Sequence, residues 1–202
     1  MNRFEEALAG YLGKDNLKKI QKYKVGIAGA GGLGSNCAFN LIRSGFKHFI
    51  IVDFDKIEYA NLNRQFFFLD QVGTAKVTAL RENLLKINPG ADITARVEKI
   101  TGANIEDLFQ DCQIIVEAFD RVESKQLITE NYLPSEKLLV AASGLAGWGN
   151  SDKITVREIT PTFYLIGDGT SEAGKNCPPL SPRVNITAAK QADVILNWVL
   201  SH

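Results

Sequence analysis

Lys24-Val-Gly-Ile-Ala-Gly-Ala-Gly-Gly-Leu-Gly-Ser35 decides the fold of this chain. It joins a short apolar run to a glycine turn, Gly29-Ala-Gly31-Gly32-Leu-Gly34, of the form G-x-G-x-x-G. Beyond the turn, Leu33, Cys37, Leu41 and Ile42 share one face of a helix that runs to Ser44. A second apolar run, Phe49-Ile-Ile-Val52, ends at Asp53. Strand, turn, helix and strand in this order make a βαβ unit, whose short crossover pairs the two strands in parallel. The glycines let the backbone turn tightly and approach a ligand, and the helix N-terminus offers free N–H groups to a phosphate. Asp53 ends its strand where a carboxylate can accept ribose hydroxyls. A nucleotide site follows from this unit, and a nicotinamide cofactor, a flavin and ATP all satisfy it.

Outward from the unit the alternation continues. Phe4 to Tyr23 is punctuated by Gly10 and Gly13 and predicts two short helices, an N-terminal helical segment over 1–23. Thr74 to Ile87 predicts a helix stopped by Asn88-Pro89-Gly90. Ile93, Ala95 and Val97 alternate as a strand, Ile105 to Phe109 reads as a short helix, and Gln113-Ile-Ile-Val-Glu117 as a buried strand leading to Asp120. A helix from Val122 to Tyr132 and the apolar strand Leu138 to Ala142 follow. Ile154 to Ile159 and Phe163 to Ile166 alternate like an antiparallel pair, Gly167 to Pro182 reads as a loop, and Val184 to Leu200 as an amphipathic helix. The expectation is an α/β, Rossmann-like fold: a largely parallel sheet with helices on both faces and an antiparallel C-terminal extension, residues 1–202 forming a single domain.

Composition excludes several classes. With 23 Lys+Arg against 23 Asp+Glu the net charge is zero, so no nucleic-acid partner is expected. The N-terminus lacks the charged-then-apolar order of a signal peptide, and no run approaches the roughly 20 apolar residues that cross a bilayer. No membrane partner and a cytoplasmic location are expected. The three cysteines, Cys37, Cys112 and Cys177, form no C-x-x-C pair, so neither a disulfide framework nor structural zinc is expected. Cys37 and Cys112 read as core residues.

The segment after Asp53 separates the nucleotides. Asp53-Phe-Asp55 leads to Asn61-Leu-Asn63-Arg64-Gln65 and then, at the head of a helix, to Gly73-Thr-Ala-Lys76. An Arg offers a planar fork to phosphate oxygens and a Lys a compact charge, so together they read as a phosphate-binding set. Asp120 follows a buried strand, at a position that is either a helix N-cap or ligand-facing. Beside phosphates it would suit Mg²⁺, which takes one or two carboxylates plus phosphate oxygens. Phe66, Phe67, Phe68 and Trp148 read as core or interface residues before they read as a docking surface.

These residues resemble the adenylyltransferases that activate ubiquitin-like proteins, the family of ThiF, MoeB and the ubiquitin-activating enzymes, over about Lys24 to Lys125 and less strongly to the C-terminus. The resemblance implies that Gly29, Gly31, Gly32 and Gly34 surround ATP and that Asp53, with Asp55, binds its ribose. It implies that Asn61, Asn63, Arg64, Gln65 and Lys76 contact the triphosphate and that Asp120 binds Mg²⁺. The implied reaction is attack of the C-terminal carboxylate of a ThiS-type carrier ending in Gly-Gly on the α-phosphorus, releasing pyrophosphate, as in thiazole biosynthesis. It further implies a homodimer in which Arg3 reaches a partner's phosphates, and a sulfur-transfer role for Cys177. Two departures stand out: Asp120-Arg121 with Lys125 replaces the family's Asp-Asn and later Arg, and the zinc tetrad is missing, which points to a short, zinc-free ThiF branch. The rivals are a molybdopterin-type or other ubiquitin-like carrier, a non-catalytic nucleotide-binding adaptor, and an NAD(P)-dependent oxidoreductase.

Overall fold

The computed structural model describes residues 1–202. Two helices open the chain, α1 (Arg3–Leu12) and α2 (Lys14–Ile20), separated at Gly13, whose φ of 82° suits a residue without a Cβ. The central unit follows as β1 (Lys24–Ala28), α3 (Gly32–Arg43) and β2 (His48–Val52). After a long loop come α4 (Lys76–Ile87), β3 (Asp92–Arg96), α5 (Ile105–Phe109), β4 (Ile114–Glu117), α6 (Val122–Tyr132) and β5 (Leu138–Ala142). The chain ends with β6 (Thr155–Thr160), β7 (Phe163–Gly167) and α7 (Ser181–Ser201).

The strands form one sheet in the order β3-β2-β1-β4-β5-β7-β6, parallel except for the antiparallel β6–β7 pair. Sequence and structure agree on this architecture. The inner strands read as unbroken apolar runs because both of their faces are covered. Ile27, Ile51, Val116 and Val140 face one core with α3, α4 and α7, while Ala28, Val52, Ile115 and Leu139 face a second core with Phe109 of α5 and Tyr132 of α6. Gly26 interrupts β1 because a Cβ there would lie 2.6 Å from the Phe109 ring.

Three local expectations need correcting. The last helix, expected from Val184 after a loop running to Pro182, begins at Ser181 and takes Pro182 into its first turn. The helix expected from Thr74 begins at Lys76. Asp120 does not cap α6: Arg121 occupies the cap position, and no side chain bonds the helix N-terminus.

The N-terminal helices sit at the end of the sheet where the parallel strands begin. Asn2 caps α1 and donates to Asn88 Oδ1 at 2.7 Å, and Glu5, only 4% exposed, accepts from Gln21 and Asn88. Arg3 is therefore held at the end of the sheet opposite the glycine turn. No helix is long and apolar enough to cross a membrane.

Candidate nucleotide site

The glycine turn leaves the carboxyl end of β1, and Asp53 leaves the carboxyl end of β2 beside it. One Asp53 oxygen accepts the Ala30 amide at 2.7 Å and the other accepts the Asp55 amide at 2.8 Å. Burial pushes this carboxyl up, against the pull of those amides and of Lys76. Each oxygen keeps a further lone pair. The residue that shapes the turn therefore still has acceptors to offer a ligand.

Sterics explain why the turn is so rich in glycine. A Cβ on Gly34 would overlap the Gly29 carbonyl oxygen, and Gly29 itself has φ of 100°. A Cβ on Gly32 would meet Val184 Cγ1 at 2.9 Å on one side and Arg64 Cγ and Cδ at 3.6 and 3.7 Å on the other. The turn thus lies between the first turn of α7 and the stem of Arg64.

That placement of Arg64 is fixed by the head of α3. Asn36 Nδ2 donates to the Arg64 carbonyl at 2.8 Å, and the Phe66 amide donates to Ser35 Oγ at 3.0 Å. Arg64 Nη1 donates to Asn63 Oδ1 and the Ala60 carbonyl, leaving Nε and Nη2 free of protein partners. Gln65 lies under Gly31 with its Oε1 buried and unpartnered. Asn61 accepts the Glu58 amide and shapes the loop, whereas Asn63 reaches the Pro179 carbonyl just before α7. Of the neighbouring phenylalanines, Phe67 is core, Phe66 packs on Phe39, and Phe68 is exposed.

Lys76 opens α4 nearly buried, with its Nζ 2.6 Å from Asp55 Oδ2. Asp55, a ribose candidate by resemblance, thus partners Lys76. Asp120 is exposed in the loop after β4. This loop abuts the turn, because a Cβ on Gly29 would lie 3.0 Å from the Ala118 carbonyl oxygen and 3.3 Å from the Phe119 ring. The sheet therefore brings the glycines, Asp53, Asp55, Arg64, Gln65, Lys76 and the Asp120 loop to one crevice. Arg3 lies outside it. So does Cys177, in a separate hollow of about 310 Å³ beyond β5 and β7, whose lining includes Trp148, Lys153 and Arg183.

Two further ion pairs, like that of Lys76 with Asp55, carry no motif in the sequence. Glu117, 1% exposed, binds Lys125 Nζ through both oxygens at 2.9 and 3.1 Å and accepts the Phe119 amide at 2.8 Å. Burial pushes the Glu117 carboxyl up, and Lys125 pulls it back. The pair underpins the loop carrying Asp120; its only sequence signal was an acidic residue closing an apolar strand. Arg183 and Asp168 form the other pair, signalled only by an arginine on the first turn of an apolar-faced helix.

Comparison with known proteins shows the family and the fold. tRNA threonylcarbamoyladenosine dehydratase 1 of Saccharomyces cerevisiae is 33% identical over 170 residues, 80% of this chain and 39% of that protein. The sulfur carrier protein ThiS adenylyltransferase of Bacillus subtilis is 28% identical over 169 residues, 82% of this chain and 50% of that protein. The chain spans half or less of the length of these curated relatives. In fold it resembles the AMP complex of E. coli tRNA N6-threonylcarbamoyladenosine dehydratase, with a TM-score of 0.87 at 18% identity, covering 97% of this chain and 93% of that one. The match to the ThiF family extends over residues 5–202, taking in the glycine turn, the Arg64 segment packed on it and the closing helix, and the chain belongs to that family.

Proposed function

We propose that the chain binds ATP in this crevice and adenylylates the C-terminal carboxylate of a ThiS-type sulfur carrier ending in Gly-Gly. The observation that carries the reading is Arg64, whose stem lies along Gly32 while its Nε and Nη2 remain free to meet phosphate oxygens. A dinucleotide oxidoreductase would leave this arginine without a task.

In the reaction a carboxylate oxygen bonds to the α-phosphorus, the bond from that phosphorus to the bridging oxygen breaks, and pyrophosphate leaves with the electron pair. A carboxylate is already ionised at neutral pH, so the protein supplies position and charge rather than a base. Asp53 would accept the ribose hydroxyls, the turn would cradle phosphates, and Arg64 and Lys76 would meet the charge that builds on pyrophosphate. Asp120 is one exposed carboxylate at the mouth, and no group of three His, Cys, Asp or Glu side chains is placed to hold a metal. Such a donor set fits Mg²⁺ that arrives on the phosphates and keeps its waters. There the ion would offset phosphate charge, with Asp120 as its protein ligand.

A second reading has a specific observation behind it. The yeast relative and the E. coli fold neighbour are named as threonylcarbamoyladenosine dehydratases of tRNA, which favours a carboxylate borne on a modified nucleoside. The neutral net charge speaks for the protein carrier instead. The test is ATP–pyrophosphate exchange with Mg²⁺, run without acceptor, with a Gly-Gly carrier, and with modified tRNA. Carrier-dependent exchange that Asp120→Ala abolishes is the expected result; exchange with the tRNA alone would overturn the carrier assignment, and exchange with neither would overturn the adenylyl-transfer reading.

The proposal includes a homodimer. A five-residue strand spans about 16 Å, which keeps Arg3 from its own crevice, and the loop between β2 and α4 exposes Phe54, Tyr59, Phe68 and Leu69 to a second copy. Arg3→Ala and Asp120→Ala proteins, each inactive alone, are expected to regain partial exchange when mixed. Full activity of Arg3→Ala by itself would remove Arg3 from the site.

A further inference from the structure

Arg183 is only 4% exposed, yet its guanidinium gathers three segments. Nη2 pairs with Asp168 just beyond β7, and Nη1 donates to the Gly149 and Asn150 carbonyls beyond β5 at 2.9 and 3.3 Å. Asp168 is itself fixed by the Thr170 and Ser171 amides, both at 2.8 Å. Glycine makes this closure possible, since a Cβ on Gly144 would overlap Asp168 Oδ1. The residue after Arg183 is Val184, the one that presses on Gly32 of the nucleotide turn. The guanidinium therefore ties the loops beyond β5 and β7 to the first turn of α7, and the next residue of that turn, Val184, packs on the glycine turn.

A packing role alone explains this poorly. Arg183 Nε is buried without a partner, a cost that a methionine of similar size would not carry. Buried ion pairs seldom outperform well-packed apolar residues in stability, and their best-attested use is to fix register. What the pair registers is the hollow lined by Trp148, Lys153 and Cys177, which is joined to the nucleotide side where Pro179, bridged to Gly147 of the hollow, accepts from Asn63. Lys153 has no ion-pair partner, so the hollow presents positive charge.

We propose that Asp168 and Arg183 are a positioning pair that holds the second-substrate side of the crevice, the loops beyond β5 and β7, in register with its nucleotide side. The inference rests on the adenylylation reading for what the second side binds, but not for the pairing itself. The pair touches neither ATP nor the reacting carboxylate. It acts through the loops it ties together.

Cys177 makes the test direct, because Cys37 and Cys112 are buried and Cys177 alone is partly exposed. Arg183→Met, Asp168→Asn and Arg183→Lys proteins would be compared for thiol-reagent labelling of Cys177, ATP affinity by titration, and carrier KM against kcat. Arg183→Met and Asp168→Asn are expected to speed Cys177 labelling about tenfold and to raise carrier KM about tenfold, with ATP affinity moving less than about threefold. Arg183→Lys should recover part of both. Unchanged labelling would overturn the pairing, and ATP affinity falling in step with carrier KM would show general loosening instead. Should Arg183→Met fail to fold, Asp168→Asn still decides, since its amide-bonded side chain keeps its shape. If the wild-type protein adenylylates no acceptor, the function reading fails while the labelling result still judges the pair.

Discussion

Gly34→Ala is expected to lose ATP binding by at least about two orders of magnitude and to cost about 3 kcal/mol of stability, the upper range for forcing a methyl into a filled site. The added methyl would overlap the carbonyl oxygen of Gly29 and press on Ile27 Cγ2 at 3.1 Å. The first obstacle is backbone on both sides, so no rotamer change relieves it. The head of α3 must retreat from the end of β1, taking with it the N–H groups that would face a phosphate. Gly31→Ala is the informative contrast. Its methyl would meet nothing nearer than Gln65 Nε2 at 3.8 Å, so the empty protein should fold with ordinary stability. Any loss of ATP affinity in Gly31→Ala then measures how closely the ligand itself approaches the turn. Thermal unfolding and nucleotide titration of the two proteins separate these effects. Normal ATP affinity in Gly34→Ala would show that the turn is not the phosphate cradle.

The contrast also shows what the sequence could carry. β1, β2, β4 and β5 were legible because strands covered on both faces must be apolar throughout, and the glycine turn because its sterics are local. Even the antiparallel β6–β7 pair could be read, although for an incomplete reason. Alternation is the signal of the pair, yet every residue of β6 is exposed, as befits the edge of the sheet. The three ion pairs of the site were not legible. Lys76 and Asp55 both read from the sequence as nucleotide ligands, but their mutual contact depends on α4 starting beside the end of β2. Glu117 with Lys125 needs the strand end and the helix after it to fold back on each other. Arg183 with Asp168 needs two loops and the start of α7 to converge, a condition no periodicity encodes.

Lys76→Met is expected to lower kcat/KM for adenylyl transfer about a hundred- to a thousandfold, as removal of a charge that meets the transition state commonly does. The Lys76 ammonium is nearly buried against Asp55, and this pair holds its charge at the head of α4. Asp55 is about half exposed, so its loss of a partner should cost stability little. In the proposed site the two residues would nonetheless face a triphosphate with opposite signs. Without Lys76, the Asp55 carboxylate would be left facing the phosphates, adding repulsion to the missing attraction. Removing that carboxylate too should therefore help: Lys76→Met/Asp55→Asn should recover about tenfold over Lys76→Met, a coupling within the range found for contacting residues. Asp55→Asn alone should change kcat/KM only a few-fold, because the lysine it releases is still present for the phosphates. The opposite pattern has a distinct meaning. If Lys76 served only to anchor Asp55 on the ribose, Asp55→Asn would be as damaging as Lys76→Met and the double variant no better than either. The sign of the coupling between these two side chains, read from four proteins in one exchange assay, decides whether the buried lysine works on the phosphates or only on its neighbour.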